Sequence, residues 1–307
     1  MGTEAHELRN LIWLFIIVLA VVWVLVVLVL AGAILRRRPR AGEPISPGVG
    51  GERRAAFAVS GAVVATVLVI AVLTLASYLA TRQLYAEGGD PLLVQVRGYQ
   101  WWWEVTYGDA HPARVFTTAN EIHVPVGRRV SIELAAVDVI HSFWVPNLAG
   151  KQDLIPGRDN QIAFTADRAG TYRGQCAEFC GLQHAHMGLL VVAQSPDEFD
   201  AWRNAQLASA SAPGDGEQQS GERVVTGKAC AACHTIRGTA AAGMLGPDLT
   251  HLASRSYIAA GVLPMTRGSL AAWIADPQTI KPGNNMPMVP LTADELRAAS
   301  AYLASLK

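Results

Sequence analysis

The stretch "GQCAEFCGLQHAHMG" (174–188) decides how the middle of this chain is read. Cys176, Cys180, His184 and Met187 all offer soft or borderline donors to a metal ion, and Glu178 lies between the two cysteines. A Cys-x3-Cys pair can place two bridging sulfurs between two metal ions, with His184 and Met187 close enough to close the site from one loop. Such a set needs a further nitrogen from elsewhere. "DVIHSFWVP" (138–146) offers His141 at the end of an apolar strand. The surroundings of both segments alternate with period two: Ile122, Val124 and Val126, then Val130, Ile132 and Leu134, flank a turn at Gly127. Short strands broken by glycine and proline predict a β-sandwich or small barrel over about 90–195.

The only other cysteines stand in "KACAACHT" (228–235). Cys230, Cys233 and His234 make the C-x-x-C-H pattern of covalent c-type haem attachment, with His234 as one axial ligand. Zinc would call for a second ligand pair, and no cysteine is left to supply it. A c-type haem commonly takes methionine on its other side. Four methionines follow His234: Met244 and Met265 read as packing residues, and Met286 and Met288 lie in "IKPGNNMPMVP" (280–290). From about 221 onwards the apolar spacing is helical, and Thr292 with Glu295 forms a Thr-x-x-Glu capping box.

At the other end of the chain, residues 11–35 and 55–81 carry no charge. Each exceeds the roughly 20 residues a helix needs to cross a bilayer. The first is too long for a signal-peptide core, and residues 1–10 lack a basic leader. The intervening segment holds Arg36, Arg37, Arg38, Arg40, Arg53 and Arg54 against Glu43 and Glu52, which predicts a cytoplasmic loop. Both chain ends, and everything after residue 81, are then expected on the extracytoplasmic side. Glu52 reads as an interfacial glutamate. In that compartment unpaired cysteines are unusual, so metal and cofactor bonding is the reading for all four.

The domain plan is therefore a transmembrane helical hairpin over 1–81, a β domain over 82–208, a flexible Ser/Gly/Pro-rich linker over 209–220 and a helical domain over 221–307. Residues 81–200 carry 9 Lys+Arg against 14 Asp+Glu, and 221–307 carry 8 against 5. Opposite net charge favours mutual attraction of the two domains.

The Cys-Ala-Glu-x-Cys-Gly-x-x-His-x-x-Met pattern, preceded by "DVIHSFWVP", resembles the dinuclear copper (CuA) domain of cytochrome c oxidase subunit II. "GYQWWWEVTY" (98–107) resembles that family's aromatic segment, and "KQDLIPGRDNQ" (151–161) its Lys-x-Asp-x-x-Pro-Gly-Arg stretch. The resemblance covers roughly residues 8–200. It implies a cupredoxin-like Greek-key β-barrel, with Cys176 and Cys180 bridging two coppers and His141 and His184 giving one nitrogen to each. Met187 and the Glu178 carbonyl would be weak ligands, and the Glu178 side chain would face a magnesium site shared with subunit I. It also implies that Trp101 is the electron-input tryptophan on an exposed docking face, with Trp103 nearer the copper. Asp138 is a candidate contact behind the copper ligands. His186 is not part of the pattern, and His6, His111, His123 and His251 are expected in surface or structural roles.

"GPDL" (246–249) and the Met-Pro loop resemble a small class I cytochrome c, which favours Met286 as the second axial ligand, with Met288 the runner-up, and has Pro247 help hold His234. The whole then resembles subunit II of a caa-type haem–copper oxidase, anchored in a bacterial inner membrane. The implied role is electron input: from a donor such as cytochrome c or a cytochrome bc complex to haem c, then to CuA, then to subunit I. Oxygen reduction there is coupled to proton translocation. The chain itself carries no oxygen-reducing residues. Implied partners are subunit I, other oxidase subunits and membrane lipid, not nucleic acid. Two alternatives share parts of this pattern. A copper-containing nitric oxide reductase can use a related subunit and differs in the partner's substrate. A copper-delivery protein can also carry Cys-x3-Cys, but places its histidine far downstream.

Overall fold

The computed structural model describes residues 2–36, 49–84 and 90–307. Two helices come first, α1 (Thr3–Arg36) and α2 (Val49–Leu84). Both are apolar and long enough to span a bilayer, and their side chains are almost all exposed. A helix apolar on every side belongs in lipid, where its own hydrogen bonds satisfy its backbone. Arg37, Arg38, Arg40 and Glu43 of the expected cytoplasmic loop lie outside the described residues.

The strands that follow are β1 (Leu92–Tyr99), β2 (Trp102–Tyr107), β3 (Phe116–Ala119), β4 (Glu121–Pro125), β5 (Arg129–Ala136), β6 (His141–Trp144), β7 (Lys151–Leu154), β8 (Asn160–Thr165), β9 (Gly170–Gln175) and β10 (Gly188–Gln194). One sheet has the order β3-β2-β1-β5-β8 and another β4-β10-β9, with β6 and β7 paired separately. The two larger sheets enclose one core containing Val94, Val96, Trp103, Ile122, Val124, Ile132 and Val191. This is a cupredoxin-like β-sandwich. The turn at Gly127 (φ +78°) does not close a hairpin: β4 pairs in parallel with β10, and β5 in parallel with β1. The segment therefore crosses from one sheet to the other, as a Greek key requires. Every residue of β4 is buried, including Glu121 and His123.

Helix α3 (Pro196–Leu207) begins with a capping box of Ser195 and Glu198. Next come α4 (Gly216–Gly227), the single turn α5 (Cys230–Cys233), α6 (Arg267–Ala275), α7 (Pro277–Ile280) and α8 (Ala293–Leu303). Thr292 and Glu295 do form a capping box on α8. α8 crosses α4 so closely that a Cβ at Gly221 would collide with the Ala298 carbonyl oxygen. The second core contains Val225, Ile236, Leu270, Tyr302 and Leu306.

The stretch read as a flexible linker differs in the structure. α4 starts inside it at Gly216, capped by Asp215. Before that, the Ala210 amide donates to the Arg237 carbonyl, and His251 bonds the Ala208 carbonyl. Polar composition conceals this, because the bonds are made by main-chain groups that every residue carries.

Candidate copper and haem sites

Strand β6 starts at His141, and residues 176–187 link β9 to β10. Main-chain bonds fasten this loop at both ends: Cys176 N donates to Met187 O (3.0 Å) and Ala177 N to Ser142 O (3.0 Å). A 3-10 turn over His184–His186 sets the imidazole, and Gln175 Nε2 donates to the His184 carbonyl (2.9 Å). Gly181 has φ +113°, and a Cβ there would lie 3.0 Å from the Trp101 ring.

These constraints bring the predicted set together. Cys176 Sγ and Cys180 Sγ are 3.8 Å apart, so both are free cysteines. His141 Nδ1 lies 4.0 Å from Cys176 Sγ, and His184 Nδ1 lies 3.7 Å from Cys180 Sγ. Met187 Sδ is 3.9 Å from Cys180 Sγ, and the Glu178 carbonyl oxygen 3.3 Å from Cys176 Sγ. Each imidazole thus faces a different sulfur. The ligand atoms of His141, Cys176 and Cys180 lie within 4.8 Å of one another, and all three residues are buried.

Second contacts prepare the donors. Asp138 Oδ1 accepts from His141 Nε2 (2.8 Å), which directs the Nδ1 lone pair towards Cys176. Asp138 is itself held by the amides of Gln100 and Val139. The Cys176 thiol is pulled well below the ordinary thiol range, chiefly by its contact with Cys180 and against desolvation, with help from His141. Cys180 is pushed the other way. A buried thiolate beside a thiol, two imidazole nitrogens and a thioether is a donor set that fits copper.

The other assigned residues fall as follows. Glu178 turns its carboxylate outward, 3.8 Å from Lys151 Nζ. Trp103 is fully buried and meets the His141 ring edge-on, with centroids 6.0 Å apart. Trp102 points to the other face and stacks on Tyr99. His186 bonds Gln183 through Nδ1 rather than facing a sulfur. His123 is buried between Glu121 and Gln194 and stacks on Trp202, and His251 bonds two carbonyls; both are structural.

Trp101 departs from expectation. It is 7% exposed, so it presents no open docking face. Its Nε1 donates to the Cys180 carbonyl (2.8 Å), and its own carbonyl accepts from Lys281 Nζ (2.7 Å). The helical domain lies over it. Reading the sequence missed Lys281, a lone lysine in a loop singled out for its methionines.

At the second site, α5 puts Cys230 and Cys233 on one turn, with His234 next. His234 Nδ1 bonds the Pro247 carbonyl (2.7 Å), which leaves Nε2 available to a ligand. Burial lowers the His234 pKa, against the pull of that carbonyl, so the ring is held neutral. A Cβ at Gly246 would lie 2.6 Å from His234 Cε1, so glycine is required for this approach. Two thiols on one turn and a pinned neutral imidazole fit a covalent haem. Met286 is half-buried in a loop braced by Gln278 and Asn284, whereas Met288 is 60% exposed. Met265 joins the helical core as expected. Met244 does not: it is 82% exposed and outside that core.

Fold and sites together define a membrane-anchored copper-type cupredoxin domain followed by a haem-type helical domain. Comparison with known proteins agrees. Residues 109–194 match the family described as cytochrome c oxidase subunit II, periplasmic domain, and residues 218–307 match cytochrome c. The chain is 39% identical over 221 residues to cytochrome c oxidase subunit 2 of Alkalihalophilus pseudofirmus, covering 72% of this chain and 63% of that protein. It is 34% identical over 229 residues to the same subunit of Bacillus subtilis, covering 71% and 63%. The matches thus span under two thirds of those relatives' length. The crystal structure of the periplasmic domain of subunit II of cytochrome oxidase from Bradyrhizobium japonicum is also similar, at 30% identity and TM-score 0.37, over 39% of this chain and 95% of that one. The chain belongs with cytochrome c oxidase subunit II in the form that carries a fused cytochrome c domain.

Proposed function

We propose that this chain is the electron-input subunit of a haem–copper terminal oxidase of a bacterial inner membrane, an oxygen-reducing and proton-translocating enzyme whose oxygen site lies in another subunit. The observation that carries the reading is the paired geometry at Cys176 and Cys180, with one imidazole facing each sulfur. Bound dinuclear copper and one covalent haem c would supply one-electron exchange between a donor, such as cytochrome c or a cytochrome bc complex, and the haems of subunit I.

The chain's own residues do the holding. Cys176 and Cys180 would hold the copper through sulfur, His141 and His184 through nitrogen, and Met187 and the Glu178 carbonyl would complete the donor set. The barrel keeps these donors from moving as charge changes, and Asp138 keeps His141 in one tautomer. The outward carboxylate of Glu178, which pairs with Lys151 here, would serve a magnesium ion at the subunit I boundary. Cys230 and Cys233 would carry the haem, and His234 and Met286 would hold its iron. Trp103, edge-on to His141, and Trp101, bonded to the Cys180 carbonyl, bracket the copper loop as relay residues. Two spanning helices with an arginine-rich loop between them would leave both ends and both cofactor domains outside.

Metal and haem analysis of the full chain, purified in detergent after expression with haem maturation, tests this. Two coppers and one haem per chain, with a mixed-valence copper resonance, support the reading. One loosely held copper would overturn it.

A further inference from the structure

Lys281 is 2% exposed, deep in the boundary between the two extracytoplasmic domains. Burial pushes its pKa down to about 7; in the ammonium form its three N–H donors make three bonds, to Trp101 O (2.7 Å), His186 O (2.8 Å) and Ala259 O (3.0 Å). Two acceptors belong to the copper domain, His186 within the ligand loop and Trp101 between β1 and β2, and the third to the cytochrome domain. None is a carboxylate.

The chain next to Lys281 is fitted to the same boundary. Gln183 Nε2 donates to Pro282 O (2.9 Å). Gly283, at φ +82°, has its Cβ position 3.5 Å from Trp101 Cη2 and from Leu182 Cδ1, so the loop lies flat on the indole. On the far side, Ala259 and Ala260 both adopt left-handed backbone, φ +53° and +58°, which alanine takes only at a cost. Their carbonyls are both used: Ala259 bonds Lys281, and Ala260 accepts from the Gly188 amide (2.9 Å). Further out, Ser256 N donates to the buried Glu121 carboxylate (3.0 Å). Strained backbone aimed at a partner domain, and a cation with every donor used, mark a built joint.

We propose that Lys281 is a positioning residue that locks the cytochrome domain onto the Trp101 face, closing that face to a free donor protein and setting the span for internal electron transfer. The redox part rests on the functional reading above; the joint does not. A buried ammonium held by neutral carbonyls is little screened by salt, so the joint stays closed at ionic strengths that release a charge-steered carrier.

The test is Lys281→Met in the full chain, which leaves three buried carbonyls without their donor. Hydrogen exchange at the Gly188 and Ser256 amides, both bonded across the boundary, is expected to speed up about tenfold or more. Amides inside β1 and α8 should keep their protection, showing that each domain is still folded. In the haem- and copper-loaded protein, absorption spectra stay as in the wild type. Passage of one electron from rapidly reduced haem to oxidised copper is expected to slow by a similar factor. Lys281→Gln keeps two donors and should show smaller changes. Unchanged exchange at both boundary amides overturns the lock, whatever the cofactors do. Faster exchange with an unchanged transfer rate overturns the positioning role. A wild type without copper or haem signals overturns the functional reading instead, and the exchange result still decides the lock.

Discussion

The two candidate cofactor sites are built on opposite plans. At Cys176 and Cys180 the donors are buried, a few ångströms apart, and fixed by main-chain bonds of a rigid sandwich. At Cys230 and Cys233 only His234 is pinned, by the Pro247 carbonyl, while Met244, Leu245 and Met288 stand 82%, 78% and 60% exposed. A pair of metal ions is small enough to be specified by a few side chains of one loop and one strand end. A haem is larger than any residue, so covalent attachment and one oriented ligand can do most of the specifying, and fewer side chains need to be fixed in advance.

The contrast can be broken most sharply by exchanging which site is damaged. Cys180→Ser should abolish the copper resonance and leave haem absorption intact; Met286→Ala should lose methionine ligation of the haem and leave the copper untouched. Paired spectra of the two variants decide this, and loss of both signals from one folded variant would show that the sites are not separate. Met288→Ala should leave both spectra unchanged.

Asp138→Asn probes the rigid plan one shell out. It weakens the partner that orients His141, so copper affinity should fall about 10–100-fold with the fold retained, as read by competition with a copper chelator. Gly246→Ala tests the looser plan. Its Cβ would sit 2.6 Å from the His234 ring, and the crowding should cost about 1–3 kcal/mol in chemical denaturation of the cytochrome region while barrel stability is unchanged. The smallest effect belongs away from both sites: Thr292→Ala removes the cap of α8 and should cost about 1 kcal/mol, with no change in either spectrum.

The asymmetry between the sites also governs what a reader of the sequence could see. Soft ligands at fixed spacing in 176–187 and the C-x-x-C-H at 230–234 are legible because metal chemistry restricts residue type. The two apolar helices are legible because lipid does. Asp138 could be suggested, since it stands three residues before His141. The burial of Trp101 could not, because what covers it arrives from 180 positions away, through Lys281. A lone lysine reads as a solvated surface residue, and the three carbonyls that bind it leave no side-chain pattern. Net charge pointed towards attraction between the domains, yet the bonds at Trp101 join a cation to neutral main chain. The Ser/Gly/Pro composition of 209–220 likewise hid a helix start at Gly216 and the anchoring of Ala208 and Ala210.

That anchored connection has a kinetic meaning. A mobile carrier must bind well enough to react and loosely enough to leave before the next one can arrive. Residues 208–215 join α3 to α4 directly, and a connection so short keeps its two ends at an effective concentration on the order of millimolar or more. A domain held in this way has no departure step in its cycle. Its contact with the copper domain can evolve for accurate placement alone, and under the proposed function the demand for rapid turnover of partners moves outward, to the donor of the cytochrome domain.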